Sequence, residues 1–153
     1  YTLFISVKIH KKYIIIIKTI MFNKQLNDLG RKIEDEILPT INKYYSSDFK
    51  RNENNIFDVF DFRDEENNII VEVKGRRIKS TEYKDTIITA HKITEGLKAL
   101  DLGYQVFFVF VFTDKTYEIE LKEDTNWKCM ITGSNSIEHY LIPLEDMTEI
   151  NIK

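Results

Sequence analysis

The chain has 153 residues, of which 42% are apolar and 31% charged, with a formal net charge of −3 at pH 7. That length and balance suit one globular domain, and 5 Gly and 2 Pro are too few for a collagen-like or disordered chain. The slight acid excess excludes a polybasic nucleic-acid binder over the whole chain, though not a local basic face. The single cysteine, Cys129, excludes an internally disulfide-stapled scaffold.

Residues 1–20 contain an apolar run, Tyr13 to Ile17, with Lys8, Lys11, Lys12 and Lys18 around it. The run is far shorter than the ~20 residues a membrane span needs. No small-residue cleavage site follows, so neither a secretory leader nor a membrane partner is expected. Two readings stay open: an upstream, non-native extension with the natural start at Met21 and one domain over 21–153, or a β-hairpin on a sheet edge, since Ile favours strands.

From Asn23 to Tyr45, Leu26, Leu29, Ile33, Ile37 and Ile41 recur at helical spacing, with Pro39 as a point of kinking. A short strand is expected near Asp48 to Arg51. Two strands follow, Ile56 to Arg63 and Ile69 to Arg76, joined by a polar turn over Asp64 to Asn68. A second helix is expected from about Lys84 to Leu102, with Ile93, Leu97 and Leu100 as its apolar stripe and Gly103 as its C-terminal cap. Tyr104 to Phe112 is a continuous apolar run, as in a strand buried on both faces. Thr116 to Leu121 alternates as its hairpin partner. The tail is weaker, with a strand around His139 to Ile142. Strand, helix and buried strand in succession imply parallel pairing, hence an α/β fold with a mixed sheet flanked by helices.

The chemistry is concentrated between Ile56 and Lys79. Strand alternation puts Glu72 and Lys74 on one face and Val71 and Val73 on the other, apolar face. With Arg63 opposite Ile70, Asp61 falls opposite Glu72, and Phe60, Phe62, Val71 and Val73 share the core face. A one-residue slip would expose the aromatic set, so the pattern favours Asp61 over Asp58 as the partner of Glu72. Opposed residues have Cβ atoms about 5 Å apart, and two carboxylates there need a counter-charge. A divalent cation supplies one, because Mg²⁺ takes one or two carboxylates with water and phosphate oxygens. Lys74 is then placed to orient an attacking water or offset charge on a phosphate. Arg76, Arg77 and Lys79 continue the run and would grip phosphates.

Asp61, Glu72-Val73-Lys74 and Gly75-Arg76-Arg77 together resemble the PD-(D/E)XK nuclease superfamily, and most closely its small resolvase-like and virus-encoded members. The resemblance covers about Asn23 to Phe112. It implies a restriction-endonuclease-like core and Mg²⁺-dependent hydrolysis of DNA phosphodiesters, with Mn²⁺ as a substitute metal and roles in repair or recombination. It further implies an acid on the first helix, Glu34 with Glu36 as the alternative, and a phosphate-contacting Lys92 on the second. A homodimer and an intracellular, soluble setting (host cytoplasm or nucleus for a viral member) belong to the same expectation. The sequence departs from the motif in having Phe60, not Pro, before Asp61. The competing expectation is a module of the same fold that binds nucleic acid with weak or absent catalysis. A zinc site is not expected, because His10, His91, Cys129 and His139 lack ligand spacing.

Overall fold

The structure, a computed structural model, describes residues 2–51, 59–132 and 136–151, with side chains described from Asn23 onward. The chain divides into two units, Tyr1–Glu36 and Ile37–Lys153. The first consists of the greater part of helix α1 (Thr2–Tyr45). The hairpin expected for the first twenty residues is therefore corrected to helix: strand propensity is a weak prior, and the helical pattern that follows propagates through it. Pro39 lies inside α1 without ending it.

Among the described residues, every strand lies in the second unit. Strands β1 (Lys50–Arg51), β2 (Phe62–Asp64), β3 (Ile69–Gly75), β5 (Gln105–Val111), β6 (Thr116–Leu121) and β9 (Thr148–Glu149) form one sheet in the order β1-β2-β3-β5-β6-β9. β3 and β5 are parallel and the other neighbours antiparallel, so the sheet is mixed. Strands β4 (Asp85–Thr89), β7 (Lys128–Thr132) and β8 (Ile137–Pro143) form a second sheet, in the order β4-β8-β7. A short 3₁₀ turn, Leu144–Asp146, precedes β9. No helix among the described residues is long and apolar enough to cross a membrane.

The helix expected from Lys84 begins later. Thr86-Ile87-Ile88-Thr89 is a β-branched run, stiff in a helix and at ease in a strand, and it forms β4 paired with β8. Helix α2 occupies only Ala90–Asp101. Its buried stripe is Ile93, Gly96 and Ala99, while Leu97 is exposed, a rotation from the expected Ile93-Leu97-Leu100 face. Gly96 explains the rotation: a Cβ there would stand 2.5 Å from Leu121 Cδ2, so the helix approaches the sheet through its one residue without a side chain. Gly103 caps α2 in the left-handed region (φ +87°), its N–H donating to Leu100 O at 2.8 Å.

The core lies between α2 and the main sheet. Ile70, Val106, Phe108, Phe110 and Leu121 pack there with Ile88, Ile93 and Ala99. On the other sheet face, the Tyr45 ring lies 4.9 Å from that of Phe107. Both faces of β3 are therefore covered, and Ile69 to Val73 are all buried.

Candidate active site

The β2–β3 hairpin adopts the register expected from its pattern, with Arg63 opposite Ile70 and Phe62 opposite Val71. Asp64 nucleates the turn: its Oδ1 accepts from the backbone N–H groups of Glu66 (3.0 Å) and Asn67 (3.1 Å), and its Oδ2 from Asn67 Nδ2 (2.7 Å). These bonds, the Asn67 side chain first, lower the Asp64 carboxyl from its ordinary 3.8 to about 2.

Before Phe62 the chain bends at Phe60 and Asp61. Phe60 consequently leaves the expected company of Phe62 and joins the cluster under α2. Asp61 stays at the edge of β3, where its Oδ2 accepts from Val73 N–H at 2.8 Å. The carboxylate thus satisfies a backbone donor that the bent strand does not reach. Asp58 lies outside the described residues.

Glu72 departs from expectation in one respect. It shares its face with Ile70 and Lys74, as alternation requires, but α2 covers that face, so Glu72 is a core residue with no solvent exposure. Lys74 Nζ lies 2.6 Å from Oε1, and Lys92 Nζ lies 2.7 Å from Oε2. Each Glu72 oxygen thus faces its own ammonium group. Burial pushes the Glu72 carboxyl above its ordinary value, the Asp61 charge pushes the same way, and Lys74 and Lys92 oppose both. Two carboxylates and two ammonium groups are thus brought together around Glu72, the central residue of β3.

The two lysines differ in access. The Lys92 side chain, near the start of α2, is 17% exposed and also donates to Val59 O, with its ammonium 5.6 Å from the centre of the Phe60 ring. Lys74 is 35% exposed and so connects buried Glu72 with the surface. Lys92, expected at phosphate, is engaged with Glu72 and Val59. Arg76 likewise turns inward: Nε donates to Thr86 Oγ1 at 2.8 Å, a second nitrogen donates to Ile87 O, and the guanidinium lies over the Phe110 ring. Arg76 therefore fastens β3 to β4. Arg77 and Lys79 are exposed.

Glu34 lies on α1 in the unit Tyr1–Glu36, where Glu36 pairs with Lys32 at 3.7 Å. No group of three or more His, Cys, Asp or Glu side chains converges among the described residues. Two hard oxygen donors, Asp61 and Glu72, are what this part of β3 offers a cation, a set that suits Mg²⁺ when water and phosphate complete the shell.

Sequence reasoning missed Thr86, which orients Arg76, and Asp114, which accepts from both the backbone N–H and the hydroxyl of Ser80. The β-branched run around Thr86 was a usable signal. Nothing near Asp114 marked it as more than a turn residue. Comparison with protein-family models, curated proteins and solved structures finds no match to this chain.

Proposed function

We propose that the chain is a Mg²⁺-dependent nuclease that hydrolyses DNA phosphodiester bonds, with Asp61 and Glu72 as the metal-holding acids and Lys74 as the amine beside the reacting phosphate. The observation that carries this reading is Glu72: a carboxylate with no exposure, with the Asp61 charge acting on it and an ammonium two residues along the same face. Burying such a charge is costly, so the arrangement calls for a compensating role. The resemblance to PD-(D/E)XK nucleases adds support. α1, the antiparallel strands β1 to β3, α2, and β5 parallel to β3 come in the order that a restriction-endonuclease-like core implies, with β4 of the second sheet inserted between β3 and α2.

Mg²⁺ bound by these acids would polarise the scissile phosphate and lower the pKa of a coordinated water. The protein's own groups have separate tasks. Asp61 is fixed by Val73 N–H, and Lys92 holds Glu72 from the α2 side. Lys74, partly exposed, meets developing negative charge on the phosphate. Arg77 and Lys79 bind flanking phosphates. The reading rests on residues of the unit Ile37–Lys153 and needs nothing from Glu34.

A second reading, a nucleic-acid-binding module of the same fold without catalysis, is favoured by one feature: both Glu72 oxygens already face ammonium groups. Calorimetric titration with Mg²⁺ and Mn²⁺ separates the two. The nuclease reading expects binding heat in the wild-type chain that disappears in Asp61→Asn. Absence of heat in the wild type, or identical heat in the variant, favours the binding module.

A further inference from the structure

The segment that joins β3 to β4 carries Arg76, Arg77, Lys79 and Lys84 against a single acid, Glu82. It is braced at several points. Arg76 N donates to Val111 O at 2.7 Å, Thr113 N donates to Ile78 O at 3.1 Å, and Leu144 N donates to Lys84 O at 2.9 Å. Midway, buried Ser80 gives its backbone N–H to Asp114 Oδ1 at 2.7 Å and its hydroxyl to Asp114 Oδ2 at 3.0 Å. Between the clamps at Ser80 and Lys84 stands Tyr83, 65% exposed.

A single exposed apolar side chain is ordinary on a protein surface. Tyr83 differs from exposed Leu102 or Ile131 in its setting. It has exposed Lys79 and Lys84 on either side, its loop is braced at Ser80 and Lys84, and that loop leaves directly from the strand that carries Glu72 and Lys74. Arg76, the first residue of the loop, bonds Thr86 of β4, so the two ends of the loop are held together beside the end of that strand. Tyr83 is three residues from this contact, about 10 Å of extended chain. An exposed aromatic ring on a braced loop, flanked by cations, matches the chemistry of an unpaired nucleotide: the ring stacks on the base face while the cations meet the backbone. A closed duplex offers the cations its phosphates but keeps its base faces stacked on each other.

We propose that Tyr83 is a base-stacking specificity residue, which directs the site toward DNA with unpaired bases, either single strands or the open arms of branched molecules. This rests on the nuclease reading of Asp61, Glu72 and Lys74 and names the substrate class of that site.

The test is fluorescence anisotropy with the full chain, a labelled oligothymidylate and a labelled blunt duplex, in EDTA so that nothing is cut. Tyr83→Ala is expected to weaken oligothymidylate binding by at least about five-fold while changing duplex binding by less than about two-fold, and Tyr83→Phe to preserve both. Unchanged oligothymidylate binding in Tyr83→Ala, or an equal loss on the two DNAs, overturns the proposal. If Tyr83→Ala binds like the wild type while the wild type still cuts DNA with Mg²⁺, the stacking role falls and the nuclease reading stands. A wild-type chain that binds neither DNA and does not cut removes both. A Tyr83 surface that serves a protein partner appears as the first of these failures.

Discussion

A carboxylate withdrawn completely from water must be neutralised by a proton or by neighbouring cations. Glu72 has two such cations, and they are not equivalent. Lys92 is mostly buried and hydrogen-bonded to Glu72 Oε2, whereas Lys74 reaches the surface. Removing one partner of a buried ion pair leaves the other uncompensated, at a cost of about 3 kcal/mol or more. Lys92→Met should therefore lower unfolding free energy by about 3 kcal/mol, and Lys74→Met by about 1 kcal/mol, because Lys74 is better screened. Urea unfolding of the two variants measures both. Equal losses would show that the two lysines share Glu72 evenly, contrary to the geometry described. The β2–β3 register was legible from strand parity, whereas the bend at Phe60 and Asp61, which hands the Asp61 carboxylate to Val73 N–H, was not. The complete burial of Glu72 was not, because a strand with one polar and one apolar face reads as half solvated until a helix is laid over it.

At the scale of elements, the β2–β3 turn sets the register of the hairpin beside which Asp61 meets Val73. Its Asp64 is held charged by Asn67 and the turn amides, with a pKa of about 2 against an ordinary 3.8. The native state thus releases this proton more readily than the unfolded chain. The stabilisation is fully present above about pH 4 and lost as pH falls toward 2. Asp64→Asn removes the charge, so the difference in urea midpoint between wild type and variant should shrink from pH 4 to pH 2. A difference that stays constant over this window would mean that the Asp64 charge is not what holds the turn. The turn, β5, β6 and the Gly103 cap could all be read from local chemistry. β4 could not be separated from α2 by apolar spacing, because Ile87 and Ile88 fit either period, and only their β-branching argued for a strand. β7 and β9 have little internal pattern and depend on their partners for definition.

For the whole molecule, a six-strand mixed sheet covered by α2 gathers Asp61, Glu72, Lys74 and Lys92 from three separate segments. The α/β class followed from the order of elements. The second sheet did not, since it pairs β4 with the distant β8, and no local signal predicts such a contact. Arg76, read from sequence as a phosphate contact, is instead tied to Thr86 and Ile87 of that second sheet, so the basic run divides into a structural residue and the exposed pair Arg77 and Lys79. The account as a whole turns on whether this gathering cuts DNA. The direct measurement is the rate of Mg²⁺-dependent cleavage of labelled single-stranded and branched DNA by the wild type, Glu72→Gln and Lys74→Ala, each checked for folding by circular dichroism. The account predicts cleavage by the wild type that EDTA abolishes and a fall of at least about 100-fold in both variants. Cleavage at the wild-type rate in both folded variants, or none by the wild type on any substrate, would contradict it.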